Sequence, residues 1–339
     1  MKKLILPKLS FLFLLALITQ PALYGKIWRV NNQPGINADF NNLQAAHDAA
    51  AAGDTLYIEG SPTSYGNLYC SKKIFLFGPG YLLAENPNTL AITFDAIFGL
   101  DFRAGSDYSA VYGCRLPGIT VRNNITVARN LIDNIYIHAD SNVYISHNYI
   151  TTQFQTYSAT AGFIISNNII VGCCGFNIGY ARSVIVTNNM IRTSINAVGS
   201  FFYNNIFAFS TAQTGWGISG HSNLFSNNIT DASTLFPADN GNQINVDLST
   251  VFLVAPSNPN IPQGISTDGR WQLKPDSPAK GAGFGSTSEK PVDCGAFGGT
   301  YPYVLSGLPP IPSIYVFDHQ PVGSNADPLD VRVKVISRN

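Results

Sequence analysis

"FIISNNIIV", residues 163–171, sets two adjacent amides in the middle of an apolar run. The phrase returns as "VYISHNYIT" (143–151), "VIVTNNMIR" (184–192), "SFFYNNIFA" (200–208) and "NLFSNNITD" (223–231). Aligned on the second position of each pair, the column reads Asn130, Asn148, Asn168, Asn189, Asn205 and Asn228, at spacings of 18, 20, 21, 16 and 23 residues. Three residues before it stand Val127, Ile145, Ile165, Val186, Phe202 and Phe225; two after it stand Ile132, Ile150, Ile170, Ile191, Phe207 and Thr230. A unit of this length is too short for helix-pair repeats, which run to roughly 33 residues or more. The β-branched and aromatic bias favours short strands. The pattern fits one coil of a parallel β-helix; leucine-rich repeats have similar length, but their fixed leucine spacing is missing.

A stacked coil gives the amides a physical reason. Asn tolerates the left-handed backbone of a tight bend better than most residues. Its side chain can also donate and accept along a column, pairing turn backbone that would otherwise be buried unsatisfied. The sequence therefore predicts an asparagine ladder at equivalent corners. Glycosylation acceptors are the rival reading, but only Asn124 and Asn228 sit in "NIT".

The chain has 339 residues, 45% hydrophobic and 12% charged, against roughly a quarter charged in ordinary soluble domains. Lys+Arg and Asp+Glu both total 20, so nothing favours a nucleic-acid partner. "MKKLILPK", "LSFLFLLALI" and "TQPALYG" follow the grammar of a secretory signal peptide over residues 1–25, with no transmembrane span left after cleavage. Export to the medium or the cell surface is expected. The five cysteines (Cys70, Cys114, Cys173, Cys174, Cys294) lack CxxC spacing, so neither a disulfide framework nor a zinc site is predicted. They read as small core hydrophobes, the alternative being a reactive adjacent pair at Cys173–Cys174. No metal and no cofactor are expected.

"ADFNNLQAAHDAAAAGDTLYIEG" (38–60) predicts a helix capped by Asp39, with Phe40, Leu43, Ala46 and Ala50 on its apolar face, followed by a first strand at "TLYIE". Here the chain resembles right-handed parallel β-helix proteins of the pectate-lyase-like superfamily, whose N-terminal caps read much like F-x-x-L-Q-A-A…A-G-D-T-[IL]-Y. "IFLFGPGY" (74–81) is similar to an early coil of such proteins, and "WQLKPDSPAKGAG" (271–283) with "VDCGAFGG" (292–299) to coils that close them. The resemblance implies an all-β solenoid: a helical cap over 26–54, coils over 55–300, and a proline-rich strap with a terminal strand over 301–339. That strand is expected to lie along the solenoid or pair with its last coil, or to begin a small attachment module.

Many enzymes of that superfamily act on polysaccharides with carboxylates and basic groups. From Ser141 to Thr230 there is no Asp, Glu or Lys, which excludes paired-carboxylate hydrolysis there. Residues 95–147 hold most of the ionisable groups. Within them Arg129 lies one coil below His147, so these two, with Arg122 and His138, are the candidate anion- or sugar-binding patch. The alternative is solvated residues in weak ion pairs. Tyr136, Tyr144, Tyr149, Phe154, Tyr157, Phe201, Tyr203 and Trp216 are candidate sugar-stacking platforms or core. The expectation is a non-catalytic carbohydrate-binding or structural protein with a polysaccharide partner. The alternative is a polysaccharide lyase or hydrolase with its site on 95–147.

Overall fold

The computed structural model describes residues 25–337 except 160, 210–216, 322 and 324–327; all but Gly25 of the expected export signal lies outside them, as does Trp216. The chain is a parallel β-solenoid. One sheet of ten parallel strands starts at Ile27–Val30 and Thr55–Ile58 and passes through Thr126–Ala128, Ser141–Ser146, Ala161–Ser166 and Ile185–Thr187 to Leu224–Ser226. A second, twelve-stranded sheet begins Asn67–Cys70, Gly99–Phe102, Arg115–Val121, Leu131–Ile137 and Tyr149–Thr156. It then forks. Ile169–Ile170, Met190–Ile191, Ile206–Phe207 and Ile229–Thr230 continue one file; Phe176–Asn177, Ile195–Val198 and Ile218–His221 continue the other. The fork follows a register shift between Ile150 and Gln153 and the "GCCG" turn at 172–175, which breaks one long strand into two.

Parallel in-register stacking puts like on like. Val111, Val127, Ile145, Ile165, Val186 and Phe202 pair in one file, and all six are fully buried. Burial alternates along single strands, as in Ala161–Ser166, where Phe163 and Ile165 point inward. Toward the last coils the file turns aromatic: Phe202 stacks on Phe225 at 4.9 Å, and Phe225 on Phe236 at 5.2 Å.

The two asparagines of each pair do different things. The second member faces inward. Asn168 donates to Ile145 O and Ser166 O and to Asn189 Oδ1, while its own Oδ1 accepts from the backbone N–H and side-chain amide of Asn148. The same set repeats from Asn148 to Asn228; the ladder starts at Asn130, whose Oδ1 accepts from the Cys114 N–H, and gains a further member at Asn242. The left-handed backbone belongs to the first member: Arg129, His147, Asn167, Asn188, Asn204 and Asn227 all have φ between 53° and 58°. Corner and ladder are thus adjacent residues, where the sequence reading combined them in one.

Four other expectations change. The helix is Leu43–Ala49, and its cap is Asn42, whose side chain accepts from Ala45 N–H. Asp39 instead accepts from Arg29 N–H; Phe40 precedes the helix and bridges to Val30. The first strand is Ile27–Val30, not "TLYIE". Among the described residues, no solenoid strand follows Thr230. Residues 246–305, rich in Gly and Pro, form a second apolar layer. In it Val251, Phe252, Trp271, Ala296 and Tyr303 pack over the outward file Leu131, Tyr149, Ile169, Met190, Ile206 and Ile229. The terminal strand Val331–Ile336 pairs antiparallel with Ser313–His319 as a separate two-stranded sheet, so it does not extend the last coil. Among the described residues no helix is long and apolar enough to cross a membrane.

Candidate functional site

The four candidate binding residues fall on two different surfaces. Arg129 and His147 stand in the left-handed file, and that file clasps the returning chain. Arg129 Nη1 donates to Leu308 O at 2.8 Å, and His147 Nε2 contacts Tyr301 O at 2.9 Å. Asn167 donates to Ala296 O and Gly298 O, Asn188 to Asp293 O and Asn227 to Ala282 O; Asn204 Oδ1 accepts from Phe284 N–H. Read along the file, the partners run backwards from 308 to 282. Arg129 and His147 are therefore the basic members of an internal clasp, each half-buried against backbone carbonyls.

Burial is the main cause holding His147 below the usual imidazole pKa, with the charge of Arg129 acting in the same direction. A depressed folded pKa means the neutral form is favoured by folding. Its contribution is present above the unfolded value, about 6.5, and is lost as pH falls through the lower folded value. Asp95 and Asp231, raised to about 6 by burial, act in the opposite direction over the same range, so the His147 contribution is read as a difference. His147→Asn, which installs the residue found in later coils, is expected to lose less stability than wild type, or gain more, between pH 7 and pH 5, measured by calorimetry.

Arg122 and His138 belong to the other surface, the outer face of the forked sheet. Registered pairs align Tyr69, Asp101, Thr120, Tyr136, Gln155, Asn177, Asn196 and Ser219 in a single outward file. Beside it, just past the strand ends, stand Arg103, Arg122, His138 and Tyr157, linked in register by His138 N–H to Val121 O and Tyr157 N–H to Ile137 O. Amides bridge successive coils: Asn177 Nδ2 donates to Gln155 Oε1 at 3.0 Å, and Asn196 Nδ2 to Asn177 Oδ1 at 3.2 Å. His138 stacks on Tyr157 at 4.6 Å, and Tyr136 lies 6.4 Å from Tyr157; Tyr157 remains 49% exposed. At one end the file enters a groove of about 410 Å³ lined by Cys174, Asn177, Ser194, Asn196 and Ser219.

The ionisable residues of 95–147 do not form one cluster. Asp101 pairs with Arg103 at 3.0 Å, whose guanidinium also lies 3.9 Å from the Tyr69 ring centroid. Asp95 lies 3.7 Å from Arg115, and burial pushes its carboxyl up to about 6 against the pull of that arginine. Asp107 accepts from Asn124, and Asp133 from Thr151. Among the described residues, no group of three His, Cys, Asp or Glu side chains is placed to hold a metal ion. Of the aromatic candidates, Tyr149 and Phe154 are core. Tyr144, Phe201 and Tyr203 lie on the ten-stranded sheet, and among the described candidates only Tyr136 and Tyr157 lie on the forked face.

Sequence reasoning missed Thr120, Gln155, Asn177, Asn196 and Ser219. Measured from the ladder amide of the same coil, Tyr136, Gln155, Asn177 and Asn196 come six, seven, nine and seven residues later. The bulge and the 172–175 turn scramble the spacing, so no fixed offset marks the file. The cysteine reading is also corrected. Cys70, Cys114 and Cys294 are buried, but Cys173 and Cys174 are exposed, because the turn between the two forks projects them away from the core.

The fold and this face define a class: a parallel β-solenoid bearing an amide- and aromatic-lined outer file along its axis. No family model matches the chain, and no curated protein matches it.

Proposed function

We propose that the protein is an exported, non-catalytic β-solenoid that binds a neutral polysaccharide along the outer face of its forked sheet. The supporting observation is the outward file Thr120–Tyr136–Gln155–Asn177–Asn196–Ser219 with Tyr157 beside it. Coils repeat at about 4.8 Å, comparable to one pyranose residue of an extended chain, so successive sugars meet successive members of the file, with amides at Gln155, Asn177 and Asn196. Tyrosine supplies apolar area for a sugar face and a polar tip for its hydroxyls. Asp101 is held by Arg103, which leaves amides and hydroxyls as the chief polar groups of the file. Arg122 and His138 line the edge and would orient ring hydroxyls.

The leader-like composition of residues 1–25 supports export to the medium or cell surface. The cap-like motif of 38–60 supports kinship with right-handed, pectate-lyase-like β-helices. Within that reading, 26–54 acts as an N-terminal cap and 301–339 as a strap. A second reading, a lyase or hydrolase on the early coils, draws on Asp95, a carboxyl pushed to about 6 beside Arg115.

Affinity electrophoresis through gels carrying neutral or uronate-rich polysaccharides tests the proposal. Wild type is expected to be retarded by a neutral polymer. Tyr136→Ala and Tyr157→Ala should each weaken binding about tenfold, the equivalent of about 1.4 kcal/mol. Retardation unchanged in both variants would sink the binding site. Release of new reducing ends or unsaturated products, lost in Asp95→Asn, would favour the enzyme.

A further inference from the structure

The "GCCG" turn at 172–175 carries chemistry that neither the ladder nor the binding face uses. Cys173 and Cys174 are both exposed, and their sulfurs lie 2.7 Å apart. The turn is held at its base by Cys174 N–H to Thr152 O. Gly172 passes so close to the same strand that a Cβ there would sit 2.3 Å from Thr152 O, and Gly175 takes φ +95°. Glycines on both sides thus let the backbone bring two neighbouring side chains to the same side, where alternation along a strand would separate them. The other three thiols are the reverse case in exposure, although the contact with Cys173 raises the Cys174 thiol too. Burial pushes Cys70 up to about 11 and Cys294 up to about 12, and Cys114 is raised by its complete burial. Such thiols are inert, because the thiolate is the reactive form and needs solvent access.

We propose that Cys173 and Cys174 are a reversible vicinal-disulfide site, closed by exchange with a low-molecular-weight disulfide such as oxidised glutathione. One cysteine thiolate attacks a glutathione sulfur, forming a mixed disulfide and expelling the first glutathione thiolate. The neighbouring thiolate then attacks the protein-side sulfur, forming the Cys173–Cys174 bond and expelling the second. The protein gives up two protons and two electrons; one oxidised glutathione is reduced to two thiols, which take the protons. Adjacent Cα atoms are about 3.8 Å apart, below the roughly 4.4–6.8 Å that ordinary disulfides span. The closed ring is therefore strained and easily reduced. Closure also stiffens the turn whose Cys174 and Gly175 line the groove beside Asn177. The thiol chemistry holds whatever the groove binds.

The experiment treats the native, reduced full chain with oxidised glutathione, blocks remaining thiols with N-ethylmaleimide, and reads intact and peptide masses. The expected result is loss of two hydrogens, with 173 and 174 unblocked by maleimide and the three buried cysteines unoxidised. Cys174→Ser should instead stop at one stable glutathione adduct on Cys173. Stable adducts on both wild-type cysteines, or no reaction at either, would overturn the proposal. So would loss of two hydrogens in Cys174→Ser, which would place the bond elsewhere. Excess reduced glutathione should reopen the bond, and persistence there would overturn its reversibility.

Discussion

Asn168→Ala is expected to destabilise the protein by about 3–5 kcal/mol, from five hydrogen bonds lost at a fully buried side chain. The Asn168 side chain joins three coils: it donates to Ile145 O and Ser166 O of its own and the preceding coil, and to Asn189 of the next. Its Oδ1 takes two donors from Asn148. Alanine leaves the fully buried Asn148 backbone N–H without that acceptor, and the carbonyls of buried Ile145 and part-buried Ser166 without that donor. Such a loss is a large fraction of the roughly 5–15 kcal/mol that holds a typical domain.

Two comparisons make the claim sharp. Asn242 ends the ladder, is 8% exposed, and makes longer contacts of 3.1 Å and 3.3 Å to Phe225 O and Pro237 O. Its Oδ1 still accepts from the Asn228 N–H and side-chain amide, so Asn242→Ala should cost less than Asn168→Ala but not nothing, about 2 kcal/mol. Asn168→Asp keeps the acceptor but sets a carboxylate against two carbonyls. Its folded pKa should rise above the unfolded value of about 3.9. Stability would then be greatest at low pH and fall as pH rises toward that folded value. Urea titrations at several pH values measure all three. Equal, small losses at 168 and 242 would mean that the ladder does not carry the coil stacking.

How much of this was legible depends on which interactions are periodic. The inward files were readable because Val127, Ile145, Ile165, Val186 and Phe202 recur at a constant offset from the amide. The double asparagine was half readable. Asn satisfies both the left-handed corner and the inward ladder, so composition alone does not divide the tasks between Asn167 and Asn168. Arg129 and His147 stand in the corner column without being asparagines, so they read as a surface patch. Their partners, Leu308 and Tyr301, lie more than 150 residues away, and no local pattern announces them. The returning layer itself has neither helical nor strand period, since Gly and Pro hold it in turns. The outer file was hidden for a different reason: one bulge and one turn shift its spacing between coils. Cys173 and Cys174 were misread from the general tendency of free cysteine to be buried. Their flanking glycines were the available sign of a projecting turn.

The returning layer leads to the second large effect, at Asp268. This residue is fully buried and collects four donors, one from neighbouring Ser266 Oγ and three from two distant segments: Asn86 Nδ2, the Ser306 N–H and the Tyr303 hydroxyl. Tyr303 in turn shares a short hydrogen bond with Tyr81. Burial drives both phenols well above their ordinary pKa, with the Asp268 charge adding to the rise, so the pair stays neutral and hydrogen-bonded at physiological pH. Asp268→Ala strands these donors in an apolar layer, at an expected cost of about 3 kcal/mol or more. The loss should be local. The solenoid keeps its own ladder and inner core, whereas the layer depends on Asp268, on Trp271 and Tyr303 packing over the outward file, and on the clasp from Arg129 to Asn227. Hydrogen exchange should therefore accelerate across 282–308 while the backbone amides of Asn148, Asn168 and Asn189 stay protected. Limited proteolysis should cut the returning segment first and leave a folded solenoid core, with Tyr149, Ile169 and Met190 newly able to bind a hydrophobic dye. If the ladder amides lose protection together with 282–308, the layer and the coils unfold as one unit, and the separation drawn between them is wrong.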